Sequence, residues 1–185
     1  GLIYGTSYAA EESYTRVTGV RLAPTDLEVR PDQPGWSIAA EFDIKLSNKL
    51  NDAANRGLPL NFVVDFRLIK PRWYWTDQEL VVKSYPMVLS YNALTRSYRV
   101  ETPTGNQTTP DLQSALNLMS RLSEWPVVLR SQIQIGETYL AQVRFRLDVA
   151  EMPKPFQINA LTNSQWILSS DWLEFEFTPR SESAS

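Results

Sequence analysis

The chain contains no cysteine and no histidine. Without cysteine there are no disulfides, no thiolate nucleophile, no iron–sulfur ligation and no cysteine zinc site. Without histidine, a Ser-His-Asp triad, a histidine general base, a histidine-held iron and the usual catalytic zinc shells cannot be assembled from this chain alone. Chemistry would have to come from carboxylates, lysine, tyrosine and serine. An oxygen-ligand calcium site remains open in principle, but nothing resembles the D-x-[DN]-x-[DN]-G loop, so neither metal nor cofactor is expected. An excess of positive charge is missing too: 18 basic residues stand against 21 acidic ones, net charge −3, and the basic residues are scattered. That distribution gives no footprint for a phosphate backbone or an anionic membrane, and nucleic acid is not an expected partner. Nor does any stretch approach the roughly 18 consecutive apolar residues that a bilayer span needs.

What is present suits one folded core. The 185 residues are 43% hydrophobic and 21% charged, enough for one substantial core. A single β-rich domain is expected over residues 14–178, with a polar tail at 179–185. Most of the basic residues are arginines, which pair bidentately with carboxylates and stack on aromatic rings. Six tryptophans and eight tyrosines supply such rings. Residues 1–10 stand apart. Ser7 and Ala9 place small residues at the −3 and −1 positions of a signal-peptidase site behind a short uncharged stretch. A signal-peptide remnant is expected there, or else an ordinary disordered terminus.

The dominant period along the body is two. Trp36, Ile38, Ala40, Phe42, Ile44 and Leu46 alternate with Ser37, Ala39, Glu41, Asp43 and Lys45, the pattern of a half-buried strand. Residues 17–22 and 27–29 are shorter candidates. The alternation returns at Leu60, Phe62, Val64, Phe66 and Leu68, through residues 80–91, at 98–101 and 127–135, and again over 138–149 at Tyr139, Ala141, Val143, Phe145, Leu147 and Val149. Residues 166–168 and 172–178 supply the last strands. Residues 103–110 read as an exposed loop.

Two helices interrupt this pattern. Ser47 caps a short connector over residues 47–56, with Gly57 at the left-handed terminal position and Pro59 barring continuation. The second spans 109–122, with Thr109 as cap and Leu112, Ala115, Leu116, Met119 and Leu122 as one apolar stripe. About eight strands with one packed helix and one connector predict a mainly β, β-rich α+β fold. An antiparallel two-sheet sandwich is the first choice; a strongly curled sheet wrapped around the 109–122 helix is the second.

Four features are candidates for chemistry or recognition. Arg72-Trp73-Tyr74-Trp75-Thr76-Asp77 groups three aromatics between an arginine and an aspartate. It would serve as a stacking platform, oriented by Arg72 and Asp77, or else fold over the end of the core. In an extended chain Trp73 and Trp75 would share a face opposite Tyr74. Arg144, Arg146 and Asp148 form a charged row with steps of about 7 Å: an anion grip, or cross-strand pairs with Asp43, Asp65 or Arg67. Lys154, between Pro153 and Pro155, is a rigidly presented cation for a partner or a merely solvated one. Glu174 and Glu176 share a face, as the carboxylates of a hydrolase would, but alternating glutamates on a last strand usually form its solvent side.

The blocks Arg72-Trp73-Tyr74-Trp75, Leu94-Thr95-Arg96-Ser97-Tyr98-Arg99, Arg146-Leu147-Asp148, Pro153-Lys154-Pro155-Phe156-Gln157 and Ser170-Asp171-Trp172, in that order, resemble the DUF4390 family of proteobacterial exported proteins. The resemblance spans residues 16–177 and carries no catalytic residues across. It implies export to the periplasm and, in many genomes, a neighbouring gene for an NtrY-type membrane sensor kinase. The expected function is therefore a periplasmic, non-catalytic interaction or accessory protein whose partner is an envelope protein or the periplasmic domain of a sensor kinase. The alternative is a small-molecule or peptide binder using the aromatic cluster or a cavity between sheet and helix.

Overall fold

Period-two alternation becomes nine strands among the residues that the computed structural model describes, 12–72 and 74–181. Residues 1–10, Trp73 and the end of the polar tail lie outside them. In chain order the elements are β1 (Tyr14–Pro24), β2 (Gly35–Lys45), α1 (Asn48–Asn55), β3 (Leu60–Lys70), β4 (Gln78–Asn92), β5 (Ser97–Thr102), β6 (Gly105–Thr109), α2 (Leu112–Met119), β7 (Arg121–Leu129), β8 (Tyr139–Leu147), α3 (Lys154–Thr162) and β9 (Leu173–Phe177). Single 3-10 turns precede β8, α3 and β9.

The strands form two antiparallel sheets. One has the order β1-β2-β7 and the other β6-β5-β4-β3-β8-β9. They stack as a sandwich, with β1 touching β8 and β7 touching β4 across the interface. Because side chains alternate along each strand, one row of β2 (Trp36, Ile38, Ala40, Phe42) meets one row of β3 (Phe62, Val64, Phe66, Leu68) and of β8 (Ala141, Val143, Phe145), all buried. Phe42 of the small sheet lies 5.0 Å, centroid to centroid, from Phe145 of the large one, and Phe62 stacks on Phe145 at 5.5 Å. Trp125 of β7 reaches across to Phe66 and Tyr85. Each such ring pair adds about 0.5–1.5 kcal/mol beyond the burial itself.

The connector helix follows the sequence expectation closely. Ser47 Oγ accepts from Leu50 N at 3.2 Å and donates to Gln165 O at 2.5 Å. At the other end Leu58 N bonds Ala53 O and Gly57 N bonds Ala54 O, a Schellman closure that requires the positive φ of Gly57, 94°. The second helix is shorter than its apolar stripe suggested. Asp111, not Thr109, is its cap, accepting from Ser114 N at 2.7 Å. That bond to the backbone amide holds the Asp111 carboxyl below the usual aspartate range. Thr109 ends β6, and Leu122 belongs to β7.

Several local readings change: residues 166–168 leave a 3-10 turn and are not a strand, the strand expected over 127–135 ends at Leu129, and the one expected to reach Val149 ends at Leu147. Residues 103–110 are not a plain loop: β6 pairs with β5 from Tyr98↔Thr109 to Thr102↔Gly105. Residues 27–29 form a turn rather than a strand. Trp125 and Pro126, outside any expected helix or strand, lie inside β7, which tolerates proline because it is an edge strand. Residues 154–162 are helical, with Pro155 in the first turn, where its missing N–H costs nothing.

Candidate functional site

The turn between β3 and β4 carries the aromatic hexapeptide. Arg72 closes it from within: its Nε donates to Thr76 O at 2.9 Å, and its backbone N donates to Asp77 Oδ1 at 3.4 Å. The chain therefore turns instead of running extended, and neighbours that a strand would send to opposite faces both project outward. Tyr74 is 65% exposed and Trp75 71%. Neither folds over the core. At the base of the turn Lys70 Nζ lies 2.9 Å from Glu137 Oε2 of the loop before β8; that hydrogen bond raises the lysine above its ordinary value. Trp73 lies outside the described residues.

Arg144 and Arg146 stand on the outer face of the six-stranded sheet, and the register explains their partner. β3 and β8 pair Asp65 with Arg144 and Val63 with Arg146, so one carboxylate sits between two guanidiniums. Arg144 Nη2 donates to Asp65 Oδ2 at 2.8 Å and Arg146 Nε to the same oxygen at 2.7 Å, while Ser84 Oγ of β4 donates to Oδ1 at 3.0 Å. Burial pushes the Asp65 carboxyl up, but the bonds from Arg146, Arg144 and Ser84 outweigh it and hold the group below the usual aspartate range. The same contact with Asp65 raises Arg146. The anion position of the expected grip is thus filled by the protein's own aspartate. Of the other two candidate partners, Asp43 pairs with Arg16 in the small sheet and Arg67 with Glu79.

Asp148 ends the row in a different role. Its Oδ1 accepts from Ala150 N at 3.2 Å, capping a 3-10 turn, and lies 3.6 Å from Arg146 Nη1. Lys154 is exposed as the first residue of α3. Glu174 and Glu176 are exposed on the edge strand β9, and Glu174 accepts from Gln142 Nε2 at 2.6 Å. No group of three or more Asp or Glu side chains among the described residues is placed to hold a metal ion.

Two participants had no signal of their own in the sequence. Asp65 was one of several possible partners until the register fixed it. Trp172 covers the cluster from outside, its ring 4.3 Å from the Arg144 guanidinium carbon and 5.4 Å from that of Arg67. Residues 168–170 run beside β8, with Leu147 N bonding Leu168 O and Ser170 N bonding Phe145 O, and so deliver Trp172 onto the arginines. Sequence separation concealed this; only the Ser170-Asp171-Trp172 block hinted that the position matters.

No helix among the described residues is long and apolar enough to cross a membrane. A family model, "Domain of unknown function (DUF4390)", matches residues 21–176. No curated protein and no solved structure matches the chain.

Proposed function

The chain belongs to the DUF4390 family, and from that premise we propose that it is an exported, non-catalytic interaction protein of the bacterial envelope. One observation carries this reading: Tyr74 and Trp75 stand exposed side by side on a turn that Arg72 ties shut. Exposed aromatics on a pre-ordered loop are the chemistry of an interface anchor, since they bury a large area while losing little freedom on binding. The charged residues point the same way. Arg144 and Arg146 are engaged by Asp65, and Glu174 by Gln142, so these groups brace the sheet and leave recognition to the turn. The partner is an envelope protein, with the periplasmic domain of a membrane sensor kinase as the first bait to try.

The test is a pull-down from cross-linked periplasm and inner membrane with the wild-type chain beside Trp75→Ala and Tyr74→Ala. The expected result is recovery of one envelope protein by the wild type and its loss with both variants. Equal recovery by all three baits, or by none, overturns the reading.

A further inference from the structure

Among the described residues a seam lies open between β4 and β7. β5 meets β4 only over residues 88–92, so over residues 78–87 β4 has β3 on one side and, among the described residues, no strand on the other. Among the described residues β7 pairs only with β2, and its outer edge is likewise open. Three adjoining hollows of about 430, 400 and 310 Å³ lie along these two edges. The first two share Tyr85, Thr104 and Ser123, and the second and third share Lys83 and Pro126, so together they make one groove. Its β7 wall is nine residues long, on the order of 30 Å at strand rise.

Arg30, Lys83 and Arg121 line the groove beside Asp32 and Glu124, and among the described residues neither Arg30 nor Lys83 has an ion-pair partner. Lys83 falls on the inward row of β4 with Val81, Tyr85, Met87 and Leu89, yet it is exposed where those four are buried. Arg30 lines the same hollow, and its Nε is buried without any hydrogen-bond partner. A guanidinium N–H shut away from water and acceptor alike is costly, and its natural answer is a carboxylate brought in from outside. Glu124 lines this hollow too, but its Oε1 accepts from Asp26 N at 3.1 Å. It thereby holds the 26–30 turn, and Arg30 with it, against β7. Glu124 does so from a bulge where the β2 register jumps from Ile38↔Trp125 to Ala40↔Leu122, with φ at 51°. A left-handed glutamate is backbone strain that the surrounding structure must hold in place.

We propose that the groove between β4 and β7 takes up an extended segment of a partner polypeptide as an added strand, with an acidic side chain of that segment answered by Arg30 and Lys83. Open strand edges supply main-chain hydrogen bonds, and Tyr85 and Trp125, 5.4 Å apart, supply apolar wall for its alternate side chains. A second copy of this chain is the wrong occupant. Its own open β4 edge carries Lys83, so pairing β4 with β4 of another copy would bring like charges together. The site is separate from the Tyr74–Trp75 turn, and either reading can fail while the other stands.

The probe is a phage-displayed library of random nonapeptides, selected on the whole chain and in parallel on Arg30→Gln/Lys83→Gln and on Lys83→Glu, each first shown to melt like the wild type. The expected result is enrichment of strand-forming peptides with Asp or Glu at one fixed position. The glutamine double variant should weaken the best of them by about tenfold or more, and Lys83→Glu should favour Lys or Arg there. Hydrogen exchange with that peptide bound should slow at residues 78–87 and in β7, and Trp75→Ala should bind it unchanged. No enrichment, enrichment without an acidic position, equal binding by the variants, or protection elsewhere each overturns the proposal. Concentration-dependent dimers protected along the same edges also overturn it, in favour of a second copy.

Discussion

Asp65 Oδ2 accepts from Arg146 Nε at 2.7 Å, although the two residues are 81 positions apart in the chain. The same oxygen holds Arg144 at 2.8 Å, so this one carboxylate clamps neighbouring cations of β8 onto β3. Replacing it with alanine would leave two partly buried guanidiniums side by side, Arg144 without its carboxylate and Arg146 with only Asp148 at 3.6 Å. Asp65→Ala is expected to destabilise the protein by about 2–4 kcal/mol, below the full cost of a wholly buried pair because both arginines keep some solvent. Urea denaturation would show it as a lower midpoint at unchanged slope.

The same carboxylate gives stability a pH dependence of known sign. In the unfolded chain Asp65 titrates near its ordinary value of 3.8, whereas in the folded protein it stays ionised below that. Between the two values the unfolded state binds more protons, so stability falls as pH falls. The contribution is fully present above the ordinary value and is lost as pH drops through the folded one. The stability gap between wild type and Asp65→Asn is therefore expected to be constant from pH 7 to about 5 and to close as pH falls through and below 3.8. A gap that persists at the acid end would show that the aspartate acts through shape rather than charge.

Strands with a clean apolar alternation were legible in the sequence, and elements whose signal was ambiguous were not. β2, β3 and β8 announce themselves because one face is core and the other wet. β6, Gly105-Asn106-Gln107-Thr108-Thr109, has no apolar residue and forms because β5 offers it an edge. The first part of β7, residues 121–126, was hidden by Leu122, which fits the period of the preceding helix, and by Pro126, which reads as a stop. α3 has no apolar stripe: only Ala160 is buried, while Ile158 and Leu161 are exposed. The charged row was visible as a row, but its meaning depended on register, which period-two patterns leave open. The groove left no trace at all. It is made by the absence of a strand beside residues 78–87 and by an arginine in a turn some fifty positions before them.

Gly35 is fixed by the closeness of β7. A Cβ at this position would stand 1.9 Å from Val128 O and 2.9 Å from Val128 C, both backbone atoms with nowhere to move. Gly35→Ala must therefore part β2 from β7 at the Gly35↔Leu129 end of the ladder. A loss of about 1–3 kcal/mol is expected, as for other overpacked sites. Amide exchange should rise at residues 126–129 and stay unchanged in the large sheet.

The Trp172 lid can be tested apart from the ion pairs beneath it. Trp172→Ala removes the ring that lies 4.3 Å from the Arg144 guanidinium carbon and lets water reach the Asp65 cluster. The expected cost is about 1–2 kcal/mol at neutral pH. It should shrink in the Asp65→Ala background, because the arginine is then no longer held under the ring. A double-mutant cycle with no coupling between the two positions would mean that the tryptophan only packs.

Trp75 and Phe145 are both large aromatics, and substituting each separates recognition from folding. Phe145 is fully buried between Phe42 and Phe62, so Phe145→Ala should cost about 3–5 kcal/mol through lost burial and a cavity. Trp75 is 71% exposed on its turn, and Trp75→Ala should leave stability within about 0.5 kcal/mol. A tryptophan that stays in water contributes little to the folded state, which is what the proposed interface role requires of it. Thermal melts of the two variants decide this. If Trp75→Ala melts well below the wild type, the turn closes the end of the sandwich, and its loss in a pull-down would report unfolding rather than a binding surface.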